Sequence, residues 1–134
     1  MWYVAPGPIV EPISVDELRE ELSLIHNADD ARLALLIKEA REFAERRTGL
    51  ALVDADYSWS GDENSIAPFY LSPATAIEYP GGGLGYTTTK IPLTGGVRSA
   101  LMLYAKARYL ETEMLQVMPL IESLLFSQRT GLGV

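Results

Sequence analysis

At 134 residues the chain has the length of one domain, and 48% apolar with 22% charged residues is ordinary globular composition. Eighteen acids against eleven bases leave a net charge of −7, which argues against binding along a phosphate backbone, where clustered Lys and Arg supply the affinity. With no cysteine and a single histidine, His26, disulfides, thiolate chemistry, zinc ribbons and iron–sulfur clusters drop out.

Residues 1–13 carry Pro6, Pro8 and Pro12 and read as an extended arm. They lack the positive start of a targeting signal, and no run of about 18 apolar residues is present to span a membrane. Ser14-Val15-Asp16-Glu17 is a capping box, in which the serine caps the Glu17 amide and the glutamate reaches back. The helix that follows places Val15, Leu18 and Leu22 on one face and is expected to end between Leu24 and His26. Asn27 or Asp29 opens a second helix over Asp30–Thr48. Its Leu33, Leu36, Ile37, Ala40, Phe43 and Ala44 recur at spacings of three and four. Arg41, Arg46 and Arg47 fall late, where cations suit the helix dipole, and Gly49 supplies a left-handed stop.

The period then becomes two. Ala51, Val53, Ala55, Tyr57 and Trp59 alternate with Leu52, Asp54, Asp56 and Ser58, which predicts a half-buried strand. A turn over Gly61–Asn64, a short strand over Ile66–Leu71 and a third over Thr75–Tyr79 are expected next. Pro80 to Gly85 holds four glycines and reads as a mobile tip that keeps no strand. Tyr86–Leu93 returns as a strand. Thr94-Gly95-Gly96 opens a third long helix over Val97–Met114 that is apolar on two faces, the signature of a central or interface helix. Pro119 reads as the first residue of a last helix. The expected core is the packing of the second and third long elements through Leu36, Ile37, Phe43, Leu101 and Tyr104.

No catalytic or metal set emerges. Gly83-Leu84-Gly85 lacks the helix and the G-K-[ST] of a nucleotide loop. Asp54, Asp56, Asp62 and Glu63 lack the glycine and closing glutamate of a calcium loop. His26, Asp29 and Asp30 are better explained as a helix start than as a metal site without a fourth ligand. No G-x-S-x-G elbow is present, and nothing singles out a carboxylate pair. The expectation is a protein that is not an enzyme and takes no cofactor and no metal.

The chain resembles the head–tail connector (adaptor, or head-completion) proteins of tailed bacteriophages and gene-transfer agents over residues 12 to 130. Pro12-Ile13-Ser14-Val15-Asp16-Glu17-Leu18-Arg19-Glu20-Glu21-Leu22 is similar to that family's opening. Leu36-Ile37-Lys38-Glu39-Ala40-Arg41-Glu42-Phe43-Ala44-Glu45-Arg46-Arg47-Thr48-Gly49 is similar to its "A-R-x-x-[AV]-E-x-x-T-G" stretch, the most specific of the matches. An aromatic strand with Tyr57 and Trp59 follows, then Ala100-Leu101-Met102-Leu103-Tyr104-Ala105, Leu124-Leu125 and Arg129. The arm Met1–Glu11 and the glycine-rich loop Gly61–Thr89 are longer than the family pattern. The resemblance implies a mainly α-helical bundle with a short β-hairpin-like excursion in mid-chain. It implies a single domain that assembles with itself as a ring, usually a dodecamer, beneath the portal protein in the virion, after assembly in the host cytoplasm. It also implies a tail-side stopper or terminator partner, and genomic DNA that passes through without tight binding. The C-terminal residues Gln128, Arg129, Thr130, Gly131, Leu132, Gly133 and Val134 are the expected portal-docking tail. The competing reading is a small helical partner-binding or regulatory adaptor domain with no virion role, which would use the second face of the third long helix.

Overall fold

A computed structural model describes residues 2–4, 9–59, 71–79, 83–112 and 114–126. The order of elements is β1 (Trp2–Val4), α1 (Val15–Glu21), α2 (Asp30–Thr48), β2 (Ala55–Trp59), β3 (Ala74–Tyr79), β4 (Gly83–Thr88), α3 (Gly95–Tyr109) and α4 (Met114–Phe126). The protein is mainly α, with three strands of a small antiparallel sheet inserted in mid-chain between α2 and α3 and the fourth, β1, at the start of the chain. The expected turn over Gly61–Asn64, most of the strand over Ile66–Leu71 and the tail Gln128–Val134 lie outside the described residues.

Helix α1 begins on the capping box: Ser14 Oγ accepts from the Glu17 amide at 3.0 Å, and Glu17 Oε1 accepts from the Ser14 amide at 3.3 Å. It stops earlier than its periodicity suggests. Ser23 turns left-handed at φ 57°, and the Leu24 amide bonds back to the Arg19 carbonyl at 3.0 Å. α2 spans the expected Asp30–Thr48 and ends on Gly49 at φ 75°. α3 starts under Thr94, whose Oγ1 caps the Val97 amide. It ends at Tyr109 and not at Met114, because Glu111 is left-handed at φ 56° and the Thr112 amide bonds to the Ala107 carbonyl. Met114 therefore opens α4. Pro119 is not the first residue of that helix but lies inside it. Pro119 brings no amide to the Leu115 carbonyl one turn back, and Leu115 and Pro119 are both exposed.

The main core joins α1, α2, α3 and α4 through Leu18, Leu33, Leu36, Ile37, Ala40, Ala44, Leu101, Ala105, Ile121 and Leu125, and Ile13 of the arm is buried with them. α3 packs on all three other helices. Of the second face read from its sequence, Ala107 is buried, Leu103 and Met114 are half-buried and Leu110 is exposed. α3 and α4 approach closely: a Cβ added to Gly96 would stand 3.2 Å from the Leu124 carbonyl oxygen. Phe43 and Tyr104, expected to be buried, are half-buried and stack on each other with centroids 5.0 Å apart.

The sheet order is β1-β2-β4-β3, all antiparallel. The register opposes Tyr57 to Tyr86, and the rings stack at 4.9 Å over a second small core with Ala51 and Leu71. Two expectations fail here. Gly83-Leu84-Gly85 does hold a strand, since β4 is central and is bonded on both edges to β2 and β3, which outweighs the entropic cost of glycine. The strand expected from Ala51 begins only at Ala55. Ala51, Leu52 and Val53 are all buried, and their backbone is taken by other partners: the Ala51 amide by the Ser72 carbonyl, the Ala51 carbonyl by the Ile91 amide, and the Leu52 amide by a side chain.

Candidate functional site

The most built polar arrangement lies on the C-terminal half of α2, where the arm and the stretch that follows the helix reach it, on the residues that carry the resemblance. Ala40, Arg41, Ala44, Glu45, Thr48 and Gly49 are all buried. Residues 40, 41, 44, 45 and 48 are spaced by ones, threes and fours, so the motif is one inward stripe of α2. Arg41 is only 2% exposed and Glu45 3%. Arg41 Nη1 donates to Glu45 Oε1 at 2.9 Å, and its Nε donates to Glu11 Oε2 of the arm at 2.8 Å. The second Glu45 oxygen accepts from the Leu52 amide at 2.9 Å. Thr48 Oγ1 donates to the Ala44 carbonyl and accepts from the Leu50 amide. Three stretches remote in sequence, around Glu11, Arg41 and Leu52, are thus tied at one point.

Its electrostatics are balanced by geometry. Burial alone would lower the Arg41 pKa, but the hydrogen bond Arg41 donates to Glu11 and the charges of both glutamates outweigh it and hold the guanidinium above its usual value. Burial pushes the Glu45 carboxyl up, opposed by the Leu52 amide and by Arg41. With every polar atom partnered inside the protomer, the arrangement is a structural joint rather than a reactive centre. Sequence reasoning placed Arg41 beside Arg46 and Arg47 as a dipole-complementing cation. The missed signal is the i, i+4 pair with Glu45 at positions that fall on the apolar stripe.

The other residues singled out by sequence are engaged elsewhere. His26 is exposed and its Nδ1 accepts from the Ala28 amide. Asp29 accepts from the Tyr109 hydroxyl at 2.6 Å, which holds that phenol above its usual pKa, and Asp30 pairs with Arg19 at 3.0 Å. Asp54 accepts from the Lys90 amide. Arg47 lies over the Phe43 ring and reaches Glu122 of α4 at 3.1 Å. Among the described residues no group of three or more His, Cys, Asp or Glu could hold a metal ion, and no helix is long and apolar enough to cross a membrane. Asp62 and Glu63 lie outside the described residues.

Besides scattered exposed apolar side chains such as Ile25 and Phe126, two apolar surface features flank α3. A cleft of about 290 Å³ is lined by Val10, Pro12, Leu52, Ile91, Pro92 and Leu93, with Glu11 and Lys90 at its edge. At the α3–α4 turn, Leu110 and Leu115 project 59% and 87% exposed. No protein-family model, curated protein or solved structure matches this chain.

Proposed function

We propose that this protein is a head–tail connector of a tailed bacteriophage or gene-transfer agent. In this reading copies assemble as a ring beneath the portal, complete the head, surround the DNA channel and offer a platform to the tail-side stopper or terminator. The observation that supports it is the joint. The six fixed positions of the A-R-x-x-[AV]-E-x-x-T-G stretch gather into one buried unit that ties the arm, α2 and the stretch after it together, so the pattern has a physical reason to occur as a set. The mainly α fold with its mid-chain sheet is the architecture the resemblance implies. The net charge of −7 suits a conduit, since a negative wall repels phosphate and lets duplex slide.

Portal attachment is assigned to Gln128–Val134, where Arg129 supplies a cation and Leu132 and Val134 supply apolar contacts. Individually weak tails bind tightly as a ring, because later contacts form at high effective concentration. The test is negative-stain imaging of the protein mixed with the portal protein of the same virion. Stacked rings are expected with the full chain and bare portals after removal of Arg129–Val134. Bare portals with the full chain would overturn the connector reading, and normal stacking by the shortened chain would move the docking site elsewhere.

A further inference from the structure

The two apolar surface features sit at opposite ends of α3. Lys90, Ile91, Pro92 and Leu93 of the cleft lead into its N-terminal cap, and Leu110, Glu111 and Leu115 follow its last turn. Fifteen residues of helix separate them, roughly 22 Å at the helical rise. A single protomer therefore cannot bring one onto the other.

Their chemistry is complementary. The elbow projects Leu115, 87% exposed, and Leu110. The cleft offers Val10, 77% exposed, and Leu93, 39% exposed, beside Pro12, Leu52 and Ile91. At about 290 Å³ the cleft lies just under the ~300–1,000 Å³ of small-molecule sites, and it suits inserted aliphatic side chains. Charge matches as well. Glu11, the other charged residue of the cleft, is taken by Arg41, whereas Lys90 of the cleft and Glu111 of the elbow are both exposed, and among the described residues neither side chain has an ion-pair partner. Copies that each carry −7 repel one another, so contact between them requires an apolar patch with a locally opposed charge pair.

We propose that the α3–α4 elbow of one copy seats in the cleft of the next, with Leu115 entering among its aliphatic and proline side chains and Glu111 meeting Lys90. Two different patches then join head to tail, the arrangement that closes rings. The contact uses a handful of side chains, whereas a stable interface buries about 800 Å² per partner. Each contact is therefore weak alone and accumulates when the ring closes. The inference rests on the ring-forming reading above and names the surfaces that reading requires.

The chain contains no cysteine, so introduced thiols report on this contact alone. In the double variant Lys90→Cys/Glu111→Cys, mild oxidation is expected to give a ladder of trimers and larger species on denaturing gels. It should form several-fold faster than in a Ser99→Cys/Ser123→Cys control, whose positions are exposed but outside the contact. Neither substitution touches a folding contact: the Lys90 bond to Asp54 is made by its amide, and the Glu111 side chain makes none. Circular dichroism verifies the fold of each variant. A ladder no faster than the control, or one that stops at dimers, overturns the proposal. The charge pair gives a second readout: Lys90→Glu and Glu111→Lys should each abolish self-association in sedimentation, and the two together should restore it. Rings on the portal without the cross-link would sink this contact and leave the connector reading standing. A ladder without portal binding would do the reverse.

Discussion

Arg41 and Glu45 are one turn apart on α2, 2.9 Å from each other, and neither reaches solvent. Such a pair adds little over an apolar one of the same shape, because desolvation offsets its attraction, but removing one partner strands the other charge. Arg41→Met leaves Glu45 buried without its cation and should cost about 3–5 kcal/mol. Adding Glu45→Gln removes the stranded charge, keeps an acceptor for the Leu52 amide and should recover most of the loss. Urea unfolding of the two variants is the measurement; a single variant as stable as the parent would refute the account of the joint.

The aliphatic core makes a simpler demand. Leu36 and Ile37 are buried on the α2 stripe. Truncating either to Ala should cost roughly 2–5 kcal/mol, through lost transfer free energy and the cavity left behind. An unchanged melting midpoint in both variants would contradict the observed packing.

Alkaline unfolding should report on the tyrosine stack. Burial pushes the Tyr57 phenol up to about 12 from a reference of 10.0. A raised folded value means that this stabilisation is complete below pH 10.0 and is lost as pH rises towards about 12. Tyr57→Phe keeps the ring over Tyr86 and has no proton to lose. Its alkaline midpoint, followed by circular dichroism and phenolate absorbance, should move up. A midpoint that stays in place would assign the transition to other groups.

The β3–β4 hairpin should tolerate shortening from its tip. Tyr79 pairs with Gly83, whereas Tyr86 is held by both Tyr57 and Ala76. Deleting Gly81–Gly83 removes the outermost pairing and leaves the Tyr86 pairings in place, so the chain should remain folded with a small loss in melting temperature. Loss of the near-ultraviolet tyrosine signal would mean that the tip sets the register of the whole sheet.

Much of the helical architecture was legible. The capping box, the span of α2 and the glycine that ends it depend on nearest-neighbour chemistry, which a sequence displays directly. The stops at Ser23 and Glu111 were not, because both residues adopt the left-handed region without the glycine that usually announces it. Gly83 and Gly85 were misread because local entropy was weighed without the two flanking strands. For Arg41 the sequence displays one partner, Glu45 at i+4 on the apolar stripe, but not the other, Glu11 thirty residues away, which only the fold brings to it. The docking tail expected at Gln128–Val134 lies outside the described residues and keeps its sequence rationale alone.

The Leu52 amide sits in a stretch without regular secondary structure and donates to a buried carboxylate oxygen. Loop amides ordinarily exchange with solvent through small local fluctuations. This one can exchange only if Glu45 lets go, which means opening the end of α2, the Arg41 pair and the seat of the arm together. Deuterium should therefore enter at Leu52 on the slow timescale of the helical core, while its neighbours towards Asp54 exchange early. A single loop proton becomes a clock for the integrity of the whole joint.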